Sequence, residues 1–357
     1  MFTLGAQSTL QPKATLQDKV DAAPSAIDKR GRFLKDLRLS VIDRCNLRCQ
    51  YCLPAELFGE DFRFRPIREL LSYDELATVA AAFVELGVEK IRLTGGEPLL
   101  RPGIVEFVAR LSEAHPVVDL ALTTNGLRLA AVVDDLKQAG LSRVNVSLDA
   151  LDPLVAEKMA GRSYSPDVVL RAAESARDAG LEVKLNAVIK RGVNDSEVLP
   201  LARMARDRGF VLRFIEYMDV GATNGWTAQD VLTGAEIREE LGMLSALEPL
   251  APKTFGEVAR RYRYQDNGLE VGFIESISKP FCGSCTRARV SADGELFTCL
   301  FANHGVSLRP HLATPSLSTA IRELWLKRKD NYSEERQVKP HGKAPGEAPA
   351  EMWRLGG

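Results

Sequence analysis

Between residues 37 and 218 strand-like and helix-like runs alternate at a spacing of roughly 35 residues, which commits the chain to repeated βα units around a parallel sheet. The pattern predicts strands over 37–42, 90–94, 118–123, 143–148, 182–189 and 211–218, with helices near 73–86, 103–114, 128–138, 167–179 and 195–208. Ser72 and Glu75 have capping-box spacing, and Leu76, Val79, Ala80, Phe83 and Leu86 follow on one helical face. Gly87, Gly140, Gly180 and Gly209 each stand just past a helix, where a left-handed cap belongs. A parallel sheet covered on both faces reads apolar almost throughout. Here Arg38 and Ser40, Arg92 and Thr94, Asn145, Ser147 and Asp149, and Lys184 and Asn186 interleave with aliphatic residues. With period two, one strand face packs on helices and the other presents cations, hydroxyls and amides. Such strands curled together form a barrel-like shell with a cationic lumen, open on one side; a sheet with one solvated face is the alternative.

Past Met218 the pattern changes. Asp266-Asn267-Gly268 and Asp293-Gly294 are hairpin signals, flanked by strand-like runs at Leu269–Ile274 and Glu295–Leu300. Residues 1–32 lack an apolar period and read as a flexible leader; 33–225 form the barrel, 226–329 the extension, and 330–357, rich in Pro, Glu, Lys and Gly, a mobile tail ending in Gly356-Gly357. A chain of 357 residues with 45% hydrophobic and 27% charged side chains has material for a large core, which excludes disorder of its body. The 47 basic and 48 acidic side chains nearly cancel, so nothing suggests general affinity for nucleic acid or an anionic membrane. The best apolar stretch, Leu76 to Val88, is broken by Glu85 and falls short of the ~18 residues of a membrane helix. A secretory signal is also missing at the N-terminus.

The six cysteines form two triplets, Cys45, Cys49 and Cys52, and Cys282, Cys285 and Cys299. Three disulfides would use the same number, but a chain with a full core does not need them. C-x3-C-x2-C directly after the first strand offers three thiolates for three corners of a cubane, leaving the fourth iron open to a small chelating molecule. A structural zinc would need a fourth ligand, and Asp43 and Glu56 are poorly placed for it. For the second triplet a Cys3His zinc site using His304 stays open.

The first motif, with Tyr51 before its last cysteine, resembles the signature of the radical S-adenosylmethionine superfamily. Thr94-Gly95-Gly96-Glu97-Pro98 resembles the segment whose backbone and acid grip the methionyl amino group in that superfamily. The second triplet, within Phe281-Cys282-Gly283-Ser284-Cys285-Thr286-Arg287-Ala288-Arg289-Val290 and completed by Cys299, is similar to the auxiliary-cluster segment of the GTP 3′,8-cyclase family of molybdenum-cofactor biosynthesis, and the terminal Gly-Gly also matches. The resemblance implies an incomplete (βα)6, TIM-like barrel of α/β class, with a C-terminal β-rich extension closing the open side. It implies two [4Fe–4S] clusters on the two triplets, with S-adenosyl-L-methionine at the first and GTP as substrate at the second. Residue by residue, it assigns Arg38, Arg92, Thr123, Lys184, Arg287 and Arg289 to GTP, and Tyr51, Gly96, Ser147 and Met218 to S-adenosylmethionine. Catalytic roles fall to Arg38, Gly356 and Gly357, the double glycine reaching into the active-site pocket.

On this resemblance a 5′-deoxyadenosyl radical removes hydrogen from C3′ of GTP and the sugar radical closes onto C8. The expected partners are a low-potential electron donor and the downstream cyclic pyranopterin monophosphate synthase; the expected compartment is the reducing cytoplasm. A homodimer is left open. Two rivals remain at this point: a radical enzyme that modifies peptides and carries an auxiliary cluster, and a non-catalytic iron–sulfur or zinc protein.

Overall fold

A computed structural model describes residues 26–336 and 350–356. Six parallel strands pair in sequence order: β1 (Asp36–Ile42), β2 (Lys90–Gly95), β3 (Asp119–Thr124), β4 (Arg143–Ser147), β5 (Glu182–Ile189) and β6 (Val211–Glu216). Their crossovers carry α1 (Tyr73–Glu85), α2 (Ile104–Ala114), α3 (Val133–Gln138), α4 (Pro153–Ala160), α5 (Pro166–Asp178) and α6 (Val198–Arg208). The Ser72–Glu75 capping box is formed in full, and the four glycines after α1, α3, α5 and α6 all have positive φ, between 71° and 94°. Two expected helices begin as 3₁₀ turns, at Leu129–Ala131 and Asp195–Glu197. α4 escaped the sequence reading although Asp152 caps it, accepting from the N–H groups of Leu154 and Val155 ahead of Pro153.

The remaining chain supplies α7 (Gly234–Leu241), β7 (Leu247–Leu250), β8 (Arg260–Tyr264), β9 (Glu270–Ile274), β10 (Arg287–Val290), β11 (Glu295–Phe297), β12 (Val306–Ser307), α8 (Leu317–Lys327), α9 (Tyr332–Glu335) and α10 (Met352–Leu355). β9 joins β6 in parallel and carries β8 and β7 outward; β10 joins β1 in parallel and carries β11 and β12. The extension therefore lengthens the arc from both edges, giving a twelve-stranded open sheet, the partial barrel with a β-rich extension. Both hairpin signals sit at the expected joins, β8 to β9 and β10 to β11.

The period-two alternation is real. Leu37, Leu39, Ile91, Leu93, Val144, Val146, Leu185, Leu212 and Phe214 are buried in one core beneath the helices, and the polar phase faces a cavity. Two boundaries need correction. Within 26–32 of the expected leader, Ala26, Asp28 and Arg32 are buried, Ala26 at 0% and Arg32 at 1% exposure, and the Arg32–Asp28 ion pair anchors the segment. The expected mobile tail is likewise packed where it is described: Leu355 is fully buried and Met352 nearly so. Its composition misled because a few apolar residues, Met352, Trp353 and Leu355, are enough to dock it. Residues 1–25, 337–349 and Gly357 lie outside the described residues. Among the described residues no helix is long and apolar enough to cross a membrane.

Candidate active site

The N-terminal cysteine loop leaves the end of β1 and is pinned by backbone on three sides. Arg48 donates from its main chain to Ala160 O and Gln50 N–H to Met159 O, at 2.7 and 3.0 Å, which seats the loop on the end of α4. The Arg48 guanidinium, nearly buried, caps the carbonyls of Cys45, Leu47 and Phe58. From β2, Gly96 N–H donates to Ile42 O at 2.8 Å and Glu97 N–H to Arg44 O at 2.9 Å. A Cβ on Gly95 or Gly96 would stand 2.2 or 2.3 Å from Ile42 O or Arg44 O, so both glycines are required by the loop's own backbone. The Glu97 carboxylate is spent locally: it accepts from Leu99 N–H, Thr124 Oγ1 and Asn125 N–H at 2.8–3.0 Å. Burial pushes its pKa up to about 7 against those hydrogen bonds.

All six cysteines are free thiols. Burial raises Cys45 to about 11 and Cys299 to about 12, and moves Cys49 and Cys52 upward as well. Cys285 goes the other way, since Arg287 and Arg328 outweigh its desolvation. Thiols held neutral by burial become thiolates when a metal supplies the positive charge, so the donor set suits an iron–sulfur cluster. Backbone donors are already aimed at sulfur: Leu47 N–H at Cys45 Sγ and Phe301 N–H at Cys299 Sγ, both 3.4 Å. Among the described residues no three His, Cys, Asp or Glu side chains gather as one mononuclear ion requires; a cubane is wider than a single ion and holds its thiolates apart.

Beside the second cysteine loop the sheet curves around a cavity of about 830 Å³, a size within the range of small-molecule sites. Arg38, Arg92 and Lys184 line it, as the polar strand phase predicts, and so do Thr123, Met218, Arg287 and Arg289. Register explains the grouping: Arg289 of β10, Arg38 of β1 and Arg92 of β2 are direct neighbours across three strands. Arg38 and Arg92 have lowered pKa values, and Arg289 is pushed down to about 10; burial is the first cause and neighbouring guanidiniums the next. Acids offset part of the charge, with Asp36 3.6 Å from Arg287 and Glu182 2.6 Å from Lys184. The sequence reading passed over Arg213, although strict alternation along β6 puts it on the polar face. It lines the same cavity, donates to Asn186 Oδ1 at 2.9 Å, and is pushed down to about 9 by burial and by Arg92.

At the other end, the Tyr51 hydroxyl donates to Asp149 Oδ2 at 2.8 Å, and burial raises Asp149 to about 6. Tyr51, Cys52 and Met218 pack against a small apolar cluster of Val220, Phe297, Met352 and Leu355, which joins both cysteine loops to α10. β6 ends at Glu216, two residues short of the expected strand, because the buried Glu216 carboxylate turns to the N–H groups of Gly234, Ile277 and Ser278. Ser147 closes β4 and Gly96 stands one residue past β2, and neither lines the cavity. The tail delivers Gly356 into the lumen: its carbonyl accepts from Arg289 Nη1 at 3.1 Å and Arg38 Nη1 at 3.4 Å.

Residues 39–205 match the Radical SAM superfamily and residues 210–334 match Molybdenum Cofactor Synthesis C. The GTP 3′,8-cyclase of Acidothermus cellulolyticus is 50% identical over 324 residues, 88% of this chain and 90% of that protein. The GTP 3′,8-cyclase of Xanthomonas axonopodis pv. citri is 48% identical over 334 residues, 92% and 98% of the two chains. Among solved structures, Streptococcus suis SuiB bound to S-adenosylmethionine aligns with a TM-score of 0.56 at 14% identity, covering 87% of this chain and 70% of that one, a likeness of fold alone. Half of all positions shared with the cyclases over most of both chains, with both cysteine triplets and the cationic lumen in place, makes this chain a member of the GTP 3′,8-cyclase family of the radical SAM superfamily.

Proposed function

We propose that this enzyme converts GTP to (8S)-3′,8-cyclo-7,8-dihydroguanosine 5′-triphosphate, the first step of molybdenum-cofactor biosynthesis. The observation that carries this reading is the set of cations facing one lumen: Arg289, Arg38 and Arg92 side by side on three adjacent strands, with Arg213 of β6 lining the same cavity, their pKa values lowered first by burial and then by neighbouring guanidiniums. A polyanion entering that lumen relieves the repulsion and gains charge-assisted hydrogen bonds. When bound, the two clusters, on Cys45, Cys49 and Cys52 and on Cys282, Cys285 and Cys299, supply together with S-adenosylmethionine the one-electron, hydrogen-abstracting chemistry of the reaction.

The chain's own part is binding, orientation and exclusion of water. In this reading Arg92, Lys184, Arg213, Arg287 and Arg289 hold the triphosphate, and Thr123, 3.4 Å from Arg92 Nη1, orients that guanidinium. Tyr51, Gly96, Ser147 and Met218 form the S-adenosylmethionine end, with Asp149 fixing the Tyr51 ring. Arg38 and Gly356, 3.4 Å apart from Nη1 to the carbonyl oxygen, stand where the reacting sugar meets the tail, and Gly357 would complete that end. A low-potential donor supplies electrons, cyclic pyranopterin monophosphate synthase takes the product, and the reducing cytoplasm preserves the clusters.

The test is anaerobic reconstitution, reduction and incubation with S-adenosylmethionine and GTP, with mass spectrometry of the product. Arg213→Ala should bind GTP about ten- to a hundredfold more weakly, the loss of one charge-assisted interaction worth roughly 1.5–3 kcal/mol. Release of 5′-deoxyadenosine without any GTP-derived product would sink the cyclase reading.

A further inference from the structure

The second cysteine loop rests on a buried ion network that the reaction described above does not use. Asp28 Oδ2 accepts from Arg32 Nε at 2.6 Å and lies 3.5 Å from Arg328 Nη1; all three side chains are at most 2% exposed. Arg32 Nη1 donates to Cys282 O at 2.9 Å and Asp330 O at 2.8 Å. Arg328, just past α8, donates from Nη1 to Cys285 O at 2.8 Å and from Nη2 to Cys285 Sγ at 3.3 Å. Its guanidinium lies over the Trp325 ring, 4.4 Å from the centroid, and that indole N–H donates to Arg32 O at 3.0 Å. Arg328 is thus held on three sides with one N–H aimed at a thiol. The N-terminal loop is different: the donors to Cys45 Sγ are neutral groups, Leu47 N–H at 3.4 Å and Asn125 Nδ2 at 4.0 Å.

We propose that Arg328 is a positioning residue that sets the reduction potential of the auxiliary cluster, through a buried charge-assisted N–H···S hydrogen bond to the Cys285 ligand. The inference rests on the reading that Cys282, Cys285 and Cys299 hold such a cluster. Reduction adds one negative charge to a cluster, and a fixed cation donating to a ligand sulfur stabilises the reduced form more than the oxidised form. Burial strengthens the effect because little solvent screens it. Arg328 therefore makes the auxiliary cluster easier to reduce, and the packed 26–32 segment, through Asp28 and Arg32, keeps the guanidinium in place.

The experiment uses full-length, anaerobically reconstituted parent, Arg328→Lys, Arg328→Gln and Arg328→Met proteins, with iron counted and each cluster titrated by potentiometric EPR. The expected result is an auxiliary midpoint that shifts negative, least in Lys and most in Met, with the N-terminal cluster unmoved and serving as the internal reference. An unchanged auxiliary midpoint in an iron-replete Met variant overturns the proposal. Loss of the auxiliary cluster in all three variants also overturns it, assigning Arg328 a purely structural role. A parent protein with about four irons rather than about eight refutes instead the two-cluster reading beneath it.

Discussion

Gly96→Ala isolates the contact between the end of β2 and the cysteine loop. Gly96 does not need the left-handed region, so alanine meets no φ penalty and the test is purely steric. The added Cβ would stand 2.3 Å from Arg44 O, 2.5 Å from Arg44 C and 2.8 Å from Asp43 O, all main-chain atoms that cannot rotate away. Ordinary contact begins near 3.4 Å, so β2 and the loop must part by about an ångström. Overpacking of this kind costs roughly 1–3 kcal/mol. Parting also weakens the Gly96 N–H to Ile42 O and Glu97 N–H to Arg44 O hydrogen bonds, each worth about 1 kcal/mol. A total of roughly 2–5 kcal/mol lowers the melting temperature of the metal-free protein by about 3–7 °C. Because the loop carries Cys45, iron retention and 5′-deoxyadenosine release should fall together. Gly59→Ala is the control, since its Cβ meets only Ala55 O at 3.5 Å and should change stability by less than about 0.5 kcal/mol. A Gly96→Ala protein that melts and binds iron like the parent would refute the steric argument.

Glu97 supplies a pH dependence. Its pKa is raised to about 7 in the folded protein from 4.5, so its contribution to stability is fully present below pH 4.5 and is lost as pH rises through about 7; Glu97→Gln should flatten that slope in metal-free thermal melts, and an unchanged slope would mean the carboxylate is ionised throughout. Deleting Gly356 and Gly357 removes the carbonyl that Arg38 and Arg289 bind but leaves Met352 and Leu355 docked. Folding, iron content and GTP binding should stay near normal while cyclisation drops sharply and 5′-deoxyadenosine still forms; parent-like turnover would show the terminus to be dispensable.

The sequence by itself determined the six barrel strands, five of the helices between them and the chemistry of the first cysteine loop. Helical and strand periods are local properties, and the six barrel strands lie where alternation puts them, with Arg38, Arg92, Thr123 and Lys184 on the cavity side. Motif spacing likewise suffices for the first triplet, whose three thiolates lie within eight residues; the second spans 282–299 and was assigned by resemblance. The sequence reading stopped where contacts span the chain. Which strands flank β1 and β6 is decided by pairing over long separations, so the placement of β10 and β9 on opposite edges, and with it the grouping of Arg289, Arg38 and Arg92, had to come from the fold. Only tertiary packing could show that residues 26–32, 328 and 350–356, read as leader or tail or not read at all, converge on the auxiliary loop and the lumen. Their short segments have no period to detect; they are ordered by burying Arg32 and Arg328 against Asp28, and Met352 and Leu355 between the two cysteine loops.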